Sequence, residues 1–302
     1  MNIAVKIGRL TLKTPIVCAS GTFGFGEELL GLADLKTIGA ITTKTITLNK
    51  REGNPPPRIY ETGQGVLNSV GLEGPGLAGF LRDKLPKITA LPPAVIISVG
   101  GASSQEYLKI AKTLDKFSSV KALEINLSCP NLRLKKLVSQ DWRRTYRLVK
   151  LLRAATRKTL IVKITPEVTD ITQVARAAEE AGADALAAVN TFFGMAINVD
   201  SARFRLGSGY GGYSGPAIKP LALYKVYRAA QAVKIPVIGG GGIISAEDAL
   251  EFILAGATAV SLGTVNMICP ASSATILQGI KDYMNKHGVK DIRKLKGAVQ
   301  WV

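Results

Sequence analysis

Histidine is almost absent from this sequence of 302 residues. The single one, His287, lies between Lys286 and Gly288, a pattern typical of a helix C-terminus, where a cation stabilises the last turn. One histidine excludes hydrolysis by a Ser-His-Asp triad and metal chemistry based on histidine. Acid–base chemistry must therefore come from Cys, Lys, Asp, Glu or Tyr side chains.

Cysteines and long apolar runs are also scarce. Cys18, Cys129 and Cys269 lie far apart in the sequence, which implies neither a disulfide framework nor a zinc site. No apolar stretch approaches the roughly 20 residues that span a bilayer, and the N-terminal residues lack the layout of a signal peptide. We therefore expect a cytoplasmic protein that uses no metal and no membrane.

Charge, in contrast, is plentiful and mostly of one sign, with a net charge of +17. The basic residues cluster at 133–136, 143–157 and 290–296, without the aromatic interleaving of a nucleic-acid platform. We interpret the clusters as solvated helix faces, or as a face for an anionic substrate or a protein partner. A basic module that binds nucleic acid is the less favoured alternative, and we expect no nucleic-acid partner.

Eight short apolar runs predict the architecture. They are continuous rather than alternating, as expected of parallel strands that are buried on both faces. Amphipathic helices lie between several of them, with predicted N-caps at Ser103, Asp170 and Ser245. The pattern predicts an α/β fold, a (β/α)8 TIM barrel of one domain over residues 1–302, with a small N-terminal β-hairpin over residues 3–12. A doubly wound sheet is the alternative. The runs are 16–18, 40–43, 95–97, 122–125, 160–162, 185–189, 236–238 and 259–262.

Active sites of such barrels lie at the C-terminal ends of the strands. Two lysines, Lys44 and Lys163, follow predicted strands directly and suit an anionic ligand. Glycines 239–242 and Gly263 follow the last two strands, where barrels often bind a phosphate through bare backbone N–H groups. The fourth strand ends in the sequence NLSCPN, residues 126–131, which groups two carboxamides and a thiol around a proline. A strand-ending turn would use the same residue types.

These segments together resemble the class 1 dihydroorotate dehydrogenases along nearly the whole chain. The matching segments are 19–24 (ASGTFG), 43–45 (TKT), 53–58 (GNPPPR), 67–72 (LNSVGL), 126–131 (NLSCPN), 162–163 (VK), 189–191 (VNT), 214–220 (SGPAIKP) and the two glycine segments. The resemblance implies an FMN enzyme that oxidises (S)-dihydroorotate to orotate in the biosynthesis of pyrimidines and UMP. It also implies that Cys129 removes a proton from C5 while a hydride leaves C6 for flavin N5. A thiol with a pKa of about 8.5 can serve as such a base once ionised.

The resemblance also assigns the binding residues, with Lys163 beside the pyrimidine edge of the flavin. FMN would contact Ser20, Lys44, Thr45, Ser98, Asn126, Lys163, Val189, Gly215, Gly241, Gly242, Gly263 and Thr264. The substrate would contact Lys44, Asn68, Ser69, Val70, Gly71, Leu72, Asn126, Asn131, Asn190 and Thr191. Asparagines suit an imide ring, and Lys44 suits a carboxylate.

Within the family, the cysteine at position 129 and the short N-terminus argue against class 2, whose members use serine and a membrane-associating extension. Residues 21–27 and 214–220 resemble the NAD-linked class 1B form, whose catalytic subunit pairs with an electron-transfer subunit that carries FAD and a [2Fe-2S] cluster. We therefore expect a homodimer, or a heterotetramer with that iron-sulfur subunit. A fumarate-linked homodimer is the alternative.

Two departures from the family pattern stand out. Ser98 replaces a usual asparagine, and its shorter side chain is expected to weaken one flavin contact. The segment 132–140 lacks the glycines that relatives commonly have in a loop that closes over the substrate. Two enzymatic alternatives remain: a dihydropyrimidine dehydrogenase-like flavin oxidoreductase, which commonly has histidine where this chain has Asn131, and a non-redox phosphate-binding barrel.

Overall fold

A closed barrel of eight parallel strands forms the centre of the molecule. The computed structural model describes residues 1–28, 30–128 and 137–301. Each barrel strand is hydrogen-bonded to the next along the chain, and the last is bonded to the first, so the predicted (β/α)8 fold is confirmed. The strands are β1 (Ile16–Cys18), β2 (Ala40–Thr42), β3 (Ala94–Val99), β4 (Ala122–Asn126), β5 (Thr159–Lys163), β6 (Ala185–Ala188), β7 (Val237–Gly240) and β8 (Ala259–Leu262).

All eight apolar runs are strands; β1 and β8 have the predicted bounds, and the other boundaries differ by at most two residues. In β7, predicted over 236–238, the strand begins at Val237 and extends through Gly240. Pro236 has no N–H to donate, but its carbonyl accepts a hydrogen bond from the Leu186 N–H. Gly239 and Gly240 pair with Val260 and Ser261 of β8, so half of the glycine run belongs to the barrel wall.

Helices cover the outside of the barrel. The helix N-caps predicted at Ser103, Asp170 and Ser245 are confirmed, because each side chain accepts a backbone N–H of the first turn. Between β1 and β2 the described residues form the 3-10 turn Leu35–Thr37 and no α-helix. The longer helices are Ser104–Asp115, Trp142–Ala155, Ile171–Glu180, Lys219–Ala232, Ala246–Leu254 and Ser272–Lys286, and the segment between β2 and β3 contains the helical stretches Gly76–Gly79, Phe80–Lys84 and Leu85–Ile88.

The short helix Val265–Ile268 follows β8 directly. Most of the basic residues in helix Trp142–Ala155 are exposed, as expected of a solvated face. None of the helices in the described ranges is both long and apolar enough to cross a membrane.

Three further sheets lie outside the barrel in the described residues. The predicted hairpin is confirmed, with Val5–Ile7 antiparallel to Leu10–Leu12. A four-stranded antiparallel sheet, which the sequence analysis did not predict, joins Ile59–Thr62 and Gly65–Asn68 to Phe192–Gly194 and Gly211–Ser214. It brings segments that follow β2 and β6 together beside the mouth of the barrel, where Asn68, Thr191 and Gly215 lie. A smaller ladder pairs Ile197–Asn198 with Arg203–Phe204.

Candidate active site

A cavity of about 370 Å³ opens at the C-terminal ends of the barrel strands. Its walls come from the residues that follow the strands and from the four-stranded sheet. Most of the predicted site residues line it, although they come from many distant parts of the sequence. Those that line it are Ser20, Lys44, Thr45, Asn68, Val70, Leu72, Asn126, Lys163, Val189, Asn190, Thr191, Gly215, Gly241, Gly242, Gly263 and Thr264.

Three predicted site residues that the structure describes, Ser69, Gly71 and Ser98, do not line this cavity. Cys129 and Asn131 lie outside the described residues. Ser98 is fully buried behind Thr45, and its hydroxyl lies 2.9 Å from Thr45 Oγ1. Ser69 is buried, and its hydroxyl accepts hydrogen bonds from the side chains of Asn54 and Ser208. Gly71 has a left-handed φ of +80° and supports the turn that presents its neighbours Val70 and Leu72.

One side of the mouth carries charged and amide side chains; we call Lys44, Asn126, Lys163 and Asn190 the side-chain half of the site. Both lysines are half-buried and line the cavity. In the part of the chain that the structure describes, neither ammonium has an ion-pair or hydrogen-bond partner. Two partly desolvated cations without partners are a binding site for an anion.

The two carboxamides of the side-chain half are held by neighbouring strands. Asn126 donates from Nδ2 to Thr45 Oγ1 at 3.2 Å, and its backbone carbonyl accepts from the buried Tyr107 hydroxyl at 2.7 Å. Asn190 donates from Nδ2 to the carbonyl and to the hydroxyl of Ser128, at 3.0 and 2.8 Å. Ser128 directly precedes Cys129 in the chain. Because Ser128 follows β4 and is bonded to Asn190, which follows β6, the ends of both strands fix the position of Ser128. These contacts orient the amides before any ligand binds.

Beneath the side-chain half lies a carboxyl group that the sequence analysis did not identify as a site residue. Glu124 is 5% exposed, lines the cavity, and has Oε1 3.2 Å from Ser98 Oγ. Burial raises the pKa of Glu124 above its usual range, against the opposing effects of the Lys163 charge and the Ser98 hydrogen bond. A charged residue within an apolar strand, two positions before Asn126 and so on the same face, was the available sequence signal.

The opposite side of the mouth offers backbone instead; we call Gly241, Gly242 and Gly263 the glycine half. A Cβ on Gly242 would lie 2.8 Å from the Lys219 backbone nitrogen, and its φ is +83°. Gly263 differs, because a Cβ built there meets no atom within 4 Å and would project into open space. Gly241 and Gly242 are therefore required by the packing of the protein itself, whereas Gly263 leaves room for a ligand group to approach the main chain, as a phosphate requires.

Two ion pairs fix the loop of the glycine half. Lys219 binds Asp248 Oδ1 at 2.7 Å and Glu251 Oε2 at 3.0 Å. The other oxygen of Asp248 accepts from the backbone N–H groups of Ile244 and Ser245, both at 2.9 Å. Since Ile244 closely follows the glycines and Lys219 begins the preceding helix, this network joins the loop to two helices.

The two other cysteines of the chain do not offer a reactive thiol at this site. Cys18 lies in β1 just below the mouth, but it is fully buried, and burial raises the pKa of its thiol to about 12. Such a thiol stays protonated and inert at neutral pH. Cys269 is exposed, and it does not line the cavity.

Comparison with known proteins agrees with the resemblance noted in the sequence. The family model described as "Dihydroorotate dehydrogenase" matches residues 2–284. Proteins named "Dihydroorotate dehydrogenase B (NAD(+)), catalytic subunit" are similar over the full chain. The one from Trichlorobacter lovleyi is 48% identical over 99% of this chain and 98% of its own length. The one from Thermoanaerobacter pseudethanolicus is 46% identical over 99% of both chains.

A solved structure shares the fold. The crystal structure of DHODH from Eimeria tenella in complex with ferulenol has a TM-score of 0.84, with 24% sequence identity over 98% of this chain and 88% of that one. At 24% sequence identity this similarity supports the fold alone. The family model and the full-length relatives carry the stronger conclusion: this chain belongs to the dihydroorotate dehydrogenase family.

Proposed function

We propose that this protein is the catalytic subunit of an NAD-linked dihydroorotate dehydrogenase, which oxidises (S)-dihydroorotate to orotate in pyrimidine biosynthesis. One observation carries the proposal. In a chain that belongs to this family, Lys44, Lys163, Asn126 and Asn190 line the same cavity as the glycine half, and neither lysine has an ion-pair partner among the described residues. Neither the dihydropyrimidine dehydrogenase-like alternative nor the non-redox barrel is favoured, because the relatives carry the dihydroorotate dehydrogenase name over the full chain.

We propose that residues 1–302 form a single domain. The residues that line its cavity fit FMN as the cofactor. The open space at Gly263 accommodates a phosphate group, and the backbone of Gly241 and Gly242 lines the same cavity. Lys163 supplies a cation for the flavin ring, where positive charge favours the reduced anion. Bound FMN would accept the two electrons that leave the substrate. The proposed FMN set is Ser20, Lys44, Thr45, Asn126, Lys163, Val189, Gly215, Gly241, Gly242, Gly263 and Thr264, and Ser98 supports Thr45 from behind the cavity wall.

The other side chains bind and deprotonate the substrate. Lys44 pairs with the carboxylate of dihydroorotate, and Asn68, Asn126, Asn131 and Asn190 hydrogen-bond its imide ring. Cys129 takes the proton from C5 as a thiolate base, while C6 loses its hydrogen and two electrons, so that the product is the C5–C6 double bond of orotate. Val70, Leu72 and Thr191 complete the proposed substrate set, and Ser69 and Gly71 support the turn that presents Val70 and Leu72.

The electron route beyond the cavity requires a partner. The relatives are named as the catalytic subunit of an NAD(+)-dependent enzyme. We propose that this chain forms a homodimer that assembles with an iron-sulfur electron-transfer subunit carrying FAD, and that it works in the cytoplasm.

The direct test is anaerobic reduction of the purified protein. It should be yellow, and dihydroorotate should bleach the flavin absorbance near-stoichiometrically. Dihydrouracil, which has the same ring without the carboxylate, serves as the matched substrate control and should bleach it far more slowly, because it cannot pair with Lys44. A colourless protein that also fails to bind added FMN would refute the proposal.

Equal reduction by dihydrouracil would instead favour the dihydropyrimidine dehydrogenase-like alternative. Reoxidation of the bleached protein then identifies the acceptor. NAD⁺ should reoxidise it only when the iron-sulfur partner is added, whereas direct reoxidation by fumarate would indicate the homodimeric form.

A further inference from the structure

The floor of the cavity contains a carboxyl group for which the proposed reaction has no use. Glu124 lies in β4 two residues before Asn126, so both side chains point into the barrel. The other charged side chains that line the cavity are Lys44 and Lys163. Among the described residues, no carboxylate lies within 4 Å of Lys163 Nζ, so Glu124 forms no ion pair with this neighbour.

Three hydroxyl groups connect Glu124 to the rim, and we call them the hydroxyl chain: Ser98, Thr45 and Ser20. Glu124 Oε1 lies 3.2 Å from Ser98 Oγ, which lies 2.9 Å from Thr45 Oγ1. Thr45 Oγ1 lies 3.2 Å from Ser20 Oγ, which donates to the Thr43 carbonyl at 2.8 Å. The chain therefore contains four hydrogen-bond contacts, but its three hydroxyls hold one proton each.

The number of protons decides the state of the carboxyl group. Ser20 donates to the Thr43 carbonyl, so its contact with Thr45 is a hydrogen bond only if Thr45 donates to it. Thr45 Oγ1 also accepts from Asn126 Nδ2, which leaves it one lone pair for Ser98. If Glu124 were ionised, Ser98 would donate to it, and one of the other contacts of the chain would have no proton. If Glu124 is protonated, it supplies the fourth proton: Glu124 donates to Ser98, Ser98 to Thr45, Thr45 to Ser20 and Ser20 to the Thr43 carbonyl, so every contact is a hydrogen bond.

The burial of Glu124 also favours its protonated form. An ionised carboxylate without an ion-pair partner is costly at a side chain that is only 5% exposed, so the neutral acid is favoured. An ionised Glu124 would also offset the charge of Lys163 beside the ligand. A neutral one preserves that charge.

We propose that Glu124 is a positioning residue that keeps its proton at neutral pH, orienting the hydroxyl chain and leaving Lys163 without a counter-ion. In this arrangement Ser20 has given its proton inward and presents an acceptor lone pair to the cavity. The ligand group beside Ser20 is therefore an N–H or O–H donor. The role toward Lys163 rests on the proposed FMN site, whereas the proton on Glu124 does not.

The proton is tested on the protein without FMN, by infrared spectroscopy. At neutral pH the wild type should show the carbonyl stretch of a protonated carboxylic acid, which Glu124→Gln removes. Glu106→Gln, which changes a glutamate at the first turn of helix Ser104–Asp115, should leave the band in place. Should Glu124→Gln fail to fold, Ser98→Ala should shift the band, since Ser98 is the hydrogen-bond partner of the acid. A wild type without the band at neutral pH would overturn the proposal.

The pH dependence of unfolding gives a second readout. In the folded protein the pKa of Glu124 is raised above its ordinary value of 4.5 by burial. The protonated carboxyl therefore contributes its full stabilisation below pH 4.5. This stabilisation is lost as pH rises toward the folded-state pKa. Between these values the unfolding constant of the wild type, relative to that of Glu124→Gln, should increase by up to about tenfold per pH unit. A constant ratio would contradict a retained proton.

The role toward Lys163 is tested by FMN affinity across the same pH range. The affinity of the wild type should weaken as Glu124 ionises, while that of Glu124→Gln should not change with it. If neither protein binds FMN, the proposed function fails, but the infrared band and the unfolding ratio still decide whether Glu124 keeps its proton. FMN binding with identical pH profiles in both proteins would refute the role toward Lys163 alone.

Discussion

The two halves of the site bind by opposite means. The side-chain half carries Lys44, two residues after β2, and Lys163 at the end of β5, and neither lysine has an ion pair among the described residues. The glycine half follows β7 and β8 and has no side chains, and at Gly263 the main chain faces open space. The first half recognises charge and hydrogen-bonding pattern, and the second recognises shape. Substitutions should therefore weaken the first half by lost interactions and the second by added atoms.

The largest expected effect is on the chemistry of the side-chain half. Cys129→Ala should retain FMN but slow flavin reduction by dihydroorotate roughly 10²–10⁴-fold, the usual effect of losing a positioned base. Stopped-flow absorbance under anaerobic conditions measures this rate. Cys269→Ala, which removes an exposed cysteine outside the cavity, is the matched control and should reduce at the wild-type rate. If Cys129→Ala also reduced at that rate, the base would be another residue.

A smaller effect is expected from the loss of one cation. Lys163→Met should weaken FMN binding about 10- to 100-fold, because a hydrogen bond to a charged group contributes about 1.5–3 kcal/mol. Lys121→Met is the control, since Lys121 is exposed and precedes β4 at the opposite end of the barrel. Fluorescence titration of the apoprotein with FMN compares the two variants. Equal affinities would show that Lys163 does not contribute to the cofactor site.

The smallest effect would separate the two halves most sharply. Gly263→Ala should raise the free energy of unfolding of the apoprotein by about 0.4–1 kcal/mol, because alanine restricts the unfolded chain. The same methyl group projects into open space in the cavity, so FMN affinity should fall. Gly63→Ala also adds a methyl group with no atom within 4 Å, but outside the cavity, and should stabilise the apoprotein without changing FMN affinity. Unchanged FMN affinity in Gly263→Ala would mean that the glycine half does not approach the ligand.

Most of the barrel could be predicted from the sequence because its strands are local patterns. A continuous apolar run that ends in a polar or glycine residue predicts both a buried parallel strand and the residue at its C-terminal end. Lys44, Lys163 and Gly263 were placed at the mouth on that basis, and the structure has them there. The four-stranded sheet was not predictable in this way, since its strands are short and its central pairing joins Gly65–Asn68 to Gly211–Ser214, more than 100 residues apart.

The sequence by itself determined the fold class, the rim residues and the chemistry that one histidine excludes. Only the tertiary structure decided the roles of Ser98 and Glu124. Ser98 was predicted to contact the flavin, but it is buried behind Thr45 and bonded within the hydroxyl chain. Whether its hydroxyl faces a ligand or a neighbour depends on three strands at once. The protonation of Glu124 depends in turn on how many donors and acceptors those strands bring together, and no local sequence pattern encodes that number.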